Sequence, residues 1–395
     1  MKFLRVLMIG GIVSVSPVRA VYAPIPAQEQ SNDFTVSLKG GVTYDTNLFG
    51  AATGAIDSLV WEFAPRVSYN ASPTERTFLA LSYGLTLNHF DERPGDKLLD
   101  SHDFLVRVAH QFTKTTTVDI TDVFMVSRNP ESLLPGLATP TVLSSDQSFN
   151  RNQLDGRFST ALSGKVGGTL KARSVLFQYR NDTLGRSLDR IENLFGGSLD
   201  YAVLPELKAV AEFRHQDVYY RKLGETKNKR SDFVMGGLDY DLARKLSASG
   251  RFGYEWRDRA SERSTTSPYA EASLKYDYAP ASYLAGGYGY TLEESSDTAR
   301  FTDTKIHRLF LNLQHRVTAL ITASASVSFE PSELQGRRGQ ASIDEDTVRS
   351  GVALSYLPTK NWTISASYDF DRTDSDDAVR NLKRERVGVS AIYSY

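Results

Sequence analysis

Apolar and polar side chains alternate, residue by residue, over strand-length segments of this chain. From Trp362 to Phe370 the even positions are apolar or aromatic, and the odd positions are Thr, Ser or Asp. Residues 319–330 and 270–278 repeat the pattern. Because successive side chains of a β-strand point to opposite faces, each segment has one oily and one wet face. A chain dominated by this period is predicted to be an all-β protein.

Size and hydropathy exclude one class of membrane protein but not another. The 395 residues have a mean hydropathy of −0.34, with 41% hydrophobic and 24% charged residues. No internal run approaches the roughly 18 apolar residues that a membrane-spanning helix needs. A transmembrane β-barrel stays compatible with these values, because every second side chain of its strands can face a polar interior.

The alternation divides the chain into eighteen predicted strands, and their connections fall into two classes. Connections after even-numbered strands are short, such as 71–74 and 357–359, whereas those after odd-numbered strands are long and polar, such as 45–56. Bacterial outer-membrane barrels have an even strand count, short periplasmic turns and long external loops. We therefore predict a transmembrane antiparallel up-and-down β-barrel of about 18 strands. The predicted strands are 33–45, 57–70, 76–91, 100–113, 115–127, 147–163, 166–180, 187–203, 206–220, 229–242, 244–258, 266–279, 281–294, 303–316, 318–330, 345–356, 360–372 and 384–395.

The first twenty residues have the features of an export signal. Lys2 and Arg5 give a positive start, residues 6–15 form a short apolar stretch, and Val18-Arg19-Ala20 ends on a small residue. This order is typical of a secretory signal peptide, so we predict one over residues 1–20. Export of an all-β chain of this kind points to the outer membrane of a Gram-negative bacterium.

The rest of the chain is predicted to be a short lead-in and one barrel. Cleavage after Ala27 is a second possibility for the signal, residues 21–32 form a loose periplasmic lead-in, and residues 33–395 form the barrel. The last strand ends on the aromatic Tyr395, a terminus of the kind that barrel assembly machinery favours. The expected partners are therefore membrane lipid, lipopolysaccharide and that machinery.

The three tryptophans occupy apolar positions of the alternation, near the ends of predicted strands. They are Trp61, Trp256 and Trp362. Amphipathic rings settle at the membrane–water boundary, so their placement predicts an aromatic girdle around the barrel.

Composition excludes several other functions. The chain has no cysteine, and its 46 basic and 47 acidic residues give a net charge of −1. A disulfide framework and a thiolate metal site are thereby excluded, and nucleic-acid binding is not expected. The six histidines form no dense metal-ligand motif, so we expect no cofactor and no metal site. The acidic segment 371–377 lacks the glycine-punctuated spacing of a calcium loop and is interpreted as solvated.

The chain offers little that could carry catalysis. His102 beside Asp103 is the nearest approach to a catalytic pair, and we interpret it as an exposed polar pair. We therefore predict a protein that is not an enzyme and has no catalytic residues.

Charged residues of both signs occupy the wet parity of the predicted strands. On the lipid face an Arg or Lys at the membrane midplane would cost about 2–4 kcal/mol, so we predict that these residues line a lumen. Interspersed signs favour a hydrated lumen without strong ion selectivity; the alternative is that the charges only pair across neighbouring strands. The lumen candidates are Lys39, Glu62, Arg66, Arg107, Asp119, Asp155, Arg157, Glu212, Arg214, Asp239, Arg251, Glu255, Glu271, Lys275, Arg349 and Asp369.

The seventh strand departs from a single alternation. Leu170 and Ala172 fit one parity, whereas Val175, Phe177 and Tyr179 fit the other. A β-bulge near Ser174 is expected to reconcile them.

The connection after the fifth strand is the longest and is unusually apolar. Barrels of 16–18 strands are wide enough for an aqueous channel, so something must narrow this one. We predict that loop 128–146 folds into the lumen; the alternatives are a subunit contact and a mobile external loop. The constriction candidates are Pro130, Leu133, Leu134, Pro135 and Leu137.

The opening strand and loop resemble a known family. Residues 40–49, Gly-Gly-Val-Thr-Tyr-Asp-Thr-Asn-Leu-Phe, are similar to the Tyr-Asp-x-Asn-hydrophobic-Phe signature of the bacterial putative β-barrel porin type 2 family. Segments 63–69 and 81–85 match the early strands of that family in style. The resemblance supplies no catalytic residues, and Asp45 and Asn47 are its most recognisable positions. Their expected role is to shape the first loop.

The resemblance implies a passive outer-membrane channel, since several members accompany exopolysaccharide synthesis and export. We therefore expect a diffusion or export conduit for polysaccharide, with polysaccharide export components among its partners. A general porin or nutrient-uptake channel is the first alternative, and an outer-membrane enzyme or adhesin is the second.

Overall fold

The fold is taken from a computed structural model that describes most of the chain. It covers residues 32–128, 148–222, 224–242, 245–260, 263–295, 300–337 and 339–395. The predicted signal peptide and the five constriction candidates lie outside the described residues.

The described residues form eighteen strands of one antiparallel sheet. Each strand pairs with the next along the chain, and β1 also pairs with β18, so the sheet closes on itself. The prediction of an up-and-down barrel of 18 strands is confirmed. The strands are β1 (Asp33–Asp45), β2 (Ser58–Thr74), β3 (Thr77–Phe90), β4 (Leu98–Gln111), β5 (Thr116–Ser127), β6 (Phe149–Ala161), β7 (Val166–Tyr179), β8 (Arg190–Leu204), β9 (Leu207–Tyr220), β10 (Lys229–Leu242), β11 (Leu246–Arg259), β12 (Thr265–Ala279), β13 (Ser282–Glu294), β14 (Phe301–Arg316), β15 (Ile321–Gly336), β16 (Ile343–Tyr356), β17 (Trp362–Ser375) and β18 (Leu382–Ser394).

The connections differ between the two ends of the barrel. Those after even-numbered strands contain two to five residues, and those after odd-numbered strands contain five to 21. Three of the longer ones carry short helices: α1 (Asp182–Leu188), α2 (Gly224–Lys227) and a 3₁₀-helix (Ala378–Arg380). Within the described part of the chain, no helix is long and apolar enough to cross a membrane. We refer below to the long-loop end and the short-turn end of the barrel.

Two strands extend further than the sequence indicated. β15 continues to Gly336 and β17 to Ser375, so the predicted loops 331–344 and 373–383 are shorter than expected. The extension of β15 includes Pro331, a residue that cannot donate a hydrogen bond to a neighbouring strand. The strand nevertheless continues through it, since Ser332 and Leu334 keep the alternation and are buried.

The two faces of the closed sheet can be told apart by their contacts. Arg214 of β9 donates to the Tyr269 hydroxyl of β12 over 3.1 Å. Neighbouring strands are about 4.8 Å apart, so side chains from strands this distant converge only on the concave face. The large exposed apolar side chains, such as Val352 and Leu354, point the opposite way. The barrel is therefore oily on its convex face and polar inside.

The seventh strand contains no bulge, so that prediction was wrong. β7 keeps a continuous register with β6 and with β8 through Ser174. Val175 and Phe177 instead lie on the concave face, where they form a small apolar cluster with Phe149 near the long-loop end. The apolar side chains of β7 move from the convex to the concave face along the strand, because the inside of the barrel accepts apolar side chains at this end.

Aromatic residues mark both ends of the convex face. Trp61 and Trp256 are exposed near the long-loop end. Trp362 lies at the short-turn end, with its ring centroid 5.2 Å from that of Tyr393. Aromatic residues at both ends of the strands are typical of the paired girdles that flank the apolar band of outer-membrane barrels.

Candidate channel interior

All sixteen charged lumen candidates lie on the concave face of the sheet. In the register, they alternate with the exposed apolar side chains of the convex face. Many of them contact each other. Lys39 and Glu62 are 2.6 Å apart, and so are Arg107 and Asp119. The concave face therefore carries charges of both signs, and many of them are neutralised by an adjacent charge of the opposite sign.

Other candidates are paired with concave-face residues that are not among the sixteen predicted lumen residues. These partners lie on the adjacent strand or on the strand beyond it. The alternation of residues shows which face a side chain occupies, but not which side chain it contacts. The additional pairs are Arg66 with Asp103 at 2.8 Å, Asp155 with Arg173 at 2.5 Å, and Arg349 with Glu330 at 3.2 Å.

The largest charged group inside the barrel spans β7 to β12. Glu212 accepts from Lys171 at 2.9 Å and from Arg214 at 2.8 Å. Arg214 also contacts Glu271, and the Tyr269 hydroxyl donates to the same carboxylate at 2.6 Å. Glu212 and Arg214 are almost fully buried. We call this side of the interior, from β7 to β12, the charged wall.

Burial inside the barrel rises towards the long-loop end. Arg257, Glu255 and Asp303 form a linked group there, and each side chain is 1% exposed. Lys275 and Asp277, near the short-turn end, are 48% and 40% exposed. The interior is therefore tightly packed near the long loops and open towards the short turns.

Two of the long connections also contact each other at this end. Arg300 lies 2.7 Å from a carboxylate oxygen of Asp377, which caps the 3₁₀-helix after β17. The Arg300 guanidinium beside Asp377 holds the pKa of that carboxyl below its usual range. The carboxylate therefore stays ionised, and the contact persists, as the pH falls towards its ordinary titration range.

The family signature at residues 40–49 lies at the closing seam of the barrel, where β1 pairs with β18. Arg384 of β18 contacts both carboxylate oxygens of Asp45, and Asp45 also accepts from the Asn47 backbone. The Asn47 side chain exchanges hydrogen bonds with Ala51 and donates to the Lys383 carbonyl. These residues shape the first loop, as expected, and they also fasten it to the last strand.

The first loop turns into the mouth of the barrel. Leu48 is 1% exposed and packs with Val60, Phe90 and Leu99 from the concave face. The Arg93 guanidinium lies 6.0 Å from the centre of the Phe90 ring. Burying apolar side chains of this size favours the inward position of the loop.

Opposite the charged wall, the interior is lined by small side chains. Thr322, Ser355, Ser365, Ser390 and Gly41 form one row in register across β15, β16, β17, β18 and β1. The next row is also made of small residues: Ser324, Ala353, Ser367, Gly388 and Thr43. We call this surface the hydroxyl wall. This wall was not predicted, although a hydroxyl side chain at every second position from Thr322 to Ser328 was its visible signal in the sequence.

A family comparison matches residues 163–394 to the model described as putative beta-barrel porin 2. The chain belongs to this porin family. The suspected resemblance is thus confirmed, although the opening signature at 40–49 lies outside the matched range. A search of curated proteins found no match.

Several solved outer-membrane barrels are similar to this porin-family chain in fold. OpdL of Pseudomonas aeruginosa is 12% identical, with a TM-score of 0.47 over 92% of this chain and 99% of that one. The FrpB iron transporter of Neisseria meningitidis is 8% identical, with a TM-score of 0.47 over 93% and 82%. The copper transporter OprC is 13% identical, with a TM-score of 0.45; the match covers 90% of this chain and 63% of OprC.

The porin-family barrel separates the two residues that came closest to a catalytic pair. His102 lies on the convex face, where it contacts Tyr83 at 2.9 Å and Asp100 at 3.0 Å. Asp103 lies on the concave face with Arg66. Adjacent residues of one strand point to opposite sides, so His102 and Asp103 cannot act on one substrate.

The acidic segment 371–377 is only partly a loop. Its first five residues belong to β17, where Asp371 contacts Arg386 inside the barrel and Asp374 contacts Arg372 outside it. Among the described residues, no three His, Asp or Glu side chains converge as metal ligands.

Proposed function

We propose that this porin-family barrel is a passive channel in the outer membrane of a Gram-negative bacterium, and that it conducts polysaccharide. The hydroxyl wall is the observation that carries the proposal. Its side chains are small, so they leave space along one side of the lumen, and they offer hydrogen bonds without the strong hydration of charged groups.

The charged wall supports the same cargo. Its acids and bases are already paired with each other, as in the Lys171, Glu212 and Arg214 group. Compensated charges give a hydrated surface with little net field, so a neutral, heavily hydroxylated chain is neither repelled nor held tightly.

The test measures entry of neutral oligosaccharides into liposomes that contain the folded barrel. We expect uptake above that of empty vesicles. Replacing Ser365 and Ser367 together by Trp should lower the rate several-fold, because two indoles would project from the hydroxyl wall into the lumen.

The matched control replaces Ile364 and Ala366 by Trp on the same strand. These residues alternate with the two serines and face the lipid. The control should keep the wild-type rate. No uptake by the wild-type protein would refute the channel, and equal rates for the two double variants would refute the hydroxyl wall as its path.

Nutrient uptake is the second candidate, because compensated charges of both signs also suit small solutes in general. The size of the permeating sugar distinguishes the two functions. Passage of long oligomers supports polysaccharide export, and a cut-off at mono- and disaccharides supports uptake. Neighbouring genes give independent evidence, with polymerases and flippases favouring export and catabolic enzymes favouring uptake.

A further inference from the structure

The convex face carries an apolar groove across the closing seam. The groove has a volume of about 720 Å³ and runs over β17, β18, β1, β2, β3 and β4. All of its lining residues belong to the described part of the chain. We call it the seam groove.

The floor of the seam groove is formed by residues with little or no side chain. Gly40 of β1 lies in register with Ala391 of β18 on one side and with Phe63 of β2 on the other. A Cβ atom at Gly40 would meet nothing within 4 Å, so Phe63 does not fold over the glycine. The space above Gly40 and Ala391 is therefore open to whatever surrounds the barrel.

The groove follows two rows of the register, perpendicular to the strands. One row begins with Ile364 near the short-turn end, and the other ends with Leu98 at the long-loop end. Five strand spacings of about 4.8 Å make a length of about 24 Å. With strands tilted by about 40°, such a row climbs about 15 Å, which is half of a hydrocarbon core about 30 Å thick.

We propose that the seam groove binds an acyl chain of lipopolysaccharide. The inference rests on the outer-membrane location given under Proposed function. The groove reaches the long-loop end at Leu98 and passes beside the exposed rings of Trp61 and Phe63. Long loops are external in outer-membrane barrels, so the chain that descends there belongs to the outer leaflet.

A lipid in this position would cover the joint that closes the barrel. β1 pairs nine residues with β18 but thirteen with β2. An acyl chain lying across β17, β18, β1 and β2 contacts both sides of the joint. Its binding would add apolar contact where the closing strand pair is shorter than the neighbouring one.

The experiment counts lipids bound to barrels purified from outer membranes in mild detergent, by native mass spectrometry. Wild-type barrels should retain lipopolysaccharide. The Gly40→Leu variant fills the floor of the groove from β1, and the Ala391→Phe variant fills it from β18. Each should retain at least five-fold less lipopolysaccharide than the wild type.

Gly156→Leu is the matched control. Gly156 also lies on the convex face, and a Cβ there likewise meets nothing within 4 Å. This control should retain as much lipopolysaccharide as the wild type. Heat-modifiable migration on gels shows that each variant is folded.

Three outcomes would overturn the proposal. They are wild-type barrels without bound lipid, wild-type barrels that retain only phospholipid, and a Gly40→Leu variant that retains as much lipopolysaccharide as Gly156→Leu. Failure of the channel proposal can be distinguished from failure of the lipid-binding proposal, because oligosaccharide uptake into liposomes is measured separately on the same variants.

Discussion

Replacing Val352 by Arg is expected to destabilise the barrel by about 2–4 kcal/mol, the cost of a cation at the centre of the lipid face. Val352 is 52% exposed and lies at the middle of the apolar part of β16. If that surface met water, the substitution would change stability by only about 0.5 kcal/mol, as is usual at exposed positions. The free energy of unfolding by urea in lipid vesicles decides between the two values.

The control is the adjacent residue. Ala353 belongs to the hydroxyl wall, between Ser324 and Ser367. Its replacement by Arg places the cation in a hydrated lumen, so we expect a barrel that still folds and loses less than about 1 kcal/mol. Equal losses for Val352→Arg and Ala353→Arg would mean that the two faces are wrongly assigned.

The second large effect is expected at the closing seam. Replacing Asp45 by Ala should cost about 3–5 kcal/mol, because it leaves the buried Arg384 guanidinium without the carboxylate it contacts. The side chains of Asp45 and Arg384 are 0% and 6% exposed. The same change removes the acceptor of the Asn47 backbone N–H. Unfolding in vesicles measures the loss.

A more exposed pair provides the comparison. Asp103 contacts Arg66, whose side chain is 46% exposed, so Asp103→Ala should cost only about 0–1 kcal/mol. In a double-mutant cycle, Asp45→Ala with Arg384→Ala should cost less than the sum of the single changes. Strict additivity, or an Asp45→Ala loss no larger than that of Asp103→Ala, would contradict a coupled pair at the seam.

The strands could be predicted because each residue's face is encoded locally. Alternation assigned Val352 and Ala353 to opposite sides without any knowledge of their neighbours. Turn and loop lengths then ordered the strands into one up-and-down sheet. The prediction was poorest where a local signal competes with pairing, as at Pro331, where β15 continues beyond a residue that usually ends a strand.

The contacts of the interior could not be predicted in the same way. Parity placed Arg214 inside the barrel but not beside Tyr269, three strands away. Asp45 and Arg384 are 339 positions apart in the chain, and only closure of the sheet brings them together. Such pairs depend on the curvature and register of the whole barrel, which no single segment encodes.

The expected bulge near Ser174 failed for a related reason. It assumed that every apolar side chain of β7 faces lipid. Phe177 instead packs inside, with the Arg190 guanidinium 4.2 Å from its ring centre. The concave face carries both apolar and charged side chains at the mouth of this barrel. The polarity of a residue there therefore does not show which face of the sheet it occupies.

The assignment of the two faces to water and lipid is tested most directly by labelling, because the chain has no cysteine of its own. Ser326→Cys and Val327→Cys place one thiol on each face of β15. In barrels reconstituted into liposomes, a water-soluble maleimide should modify the Ser326→Cys variant rapidly and the Val327→Cys variant slowly. Labelling of the Val327→Cys variant as fast as that of Ser326→Cys would contradict a lipid-facing convex surface.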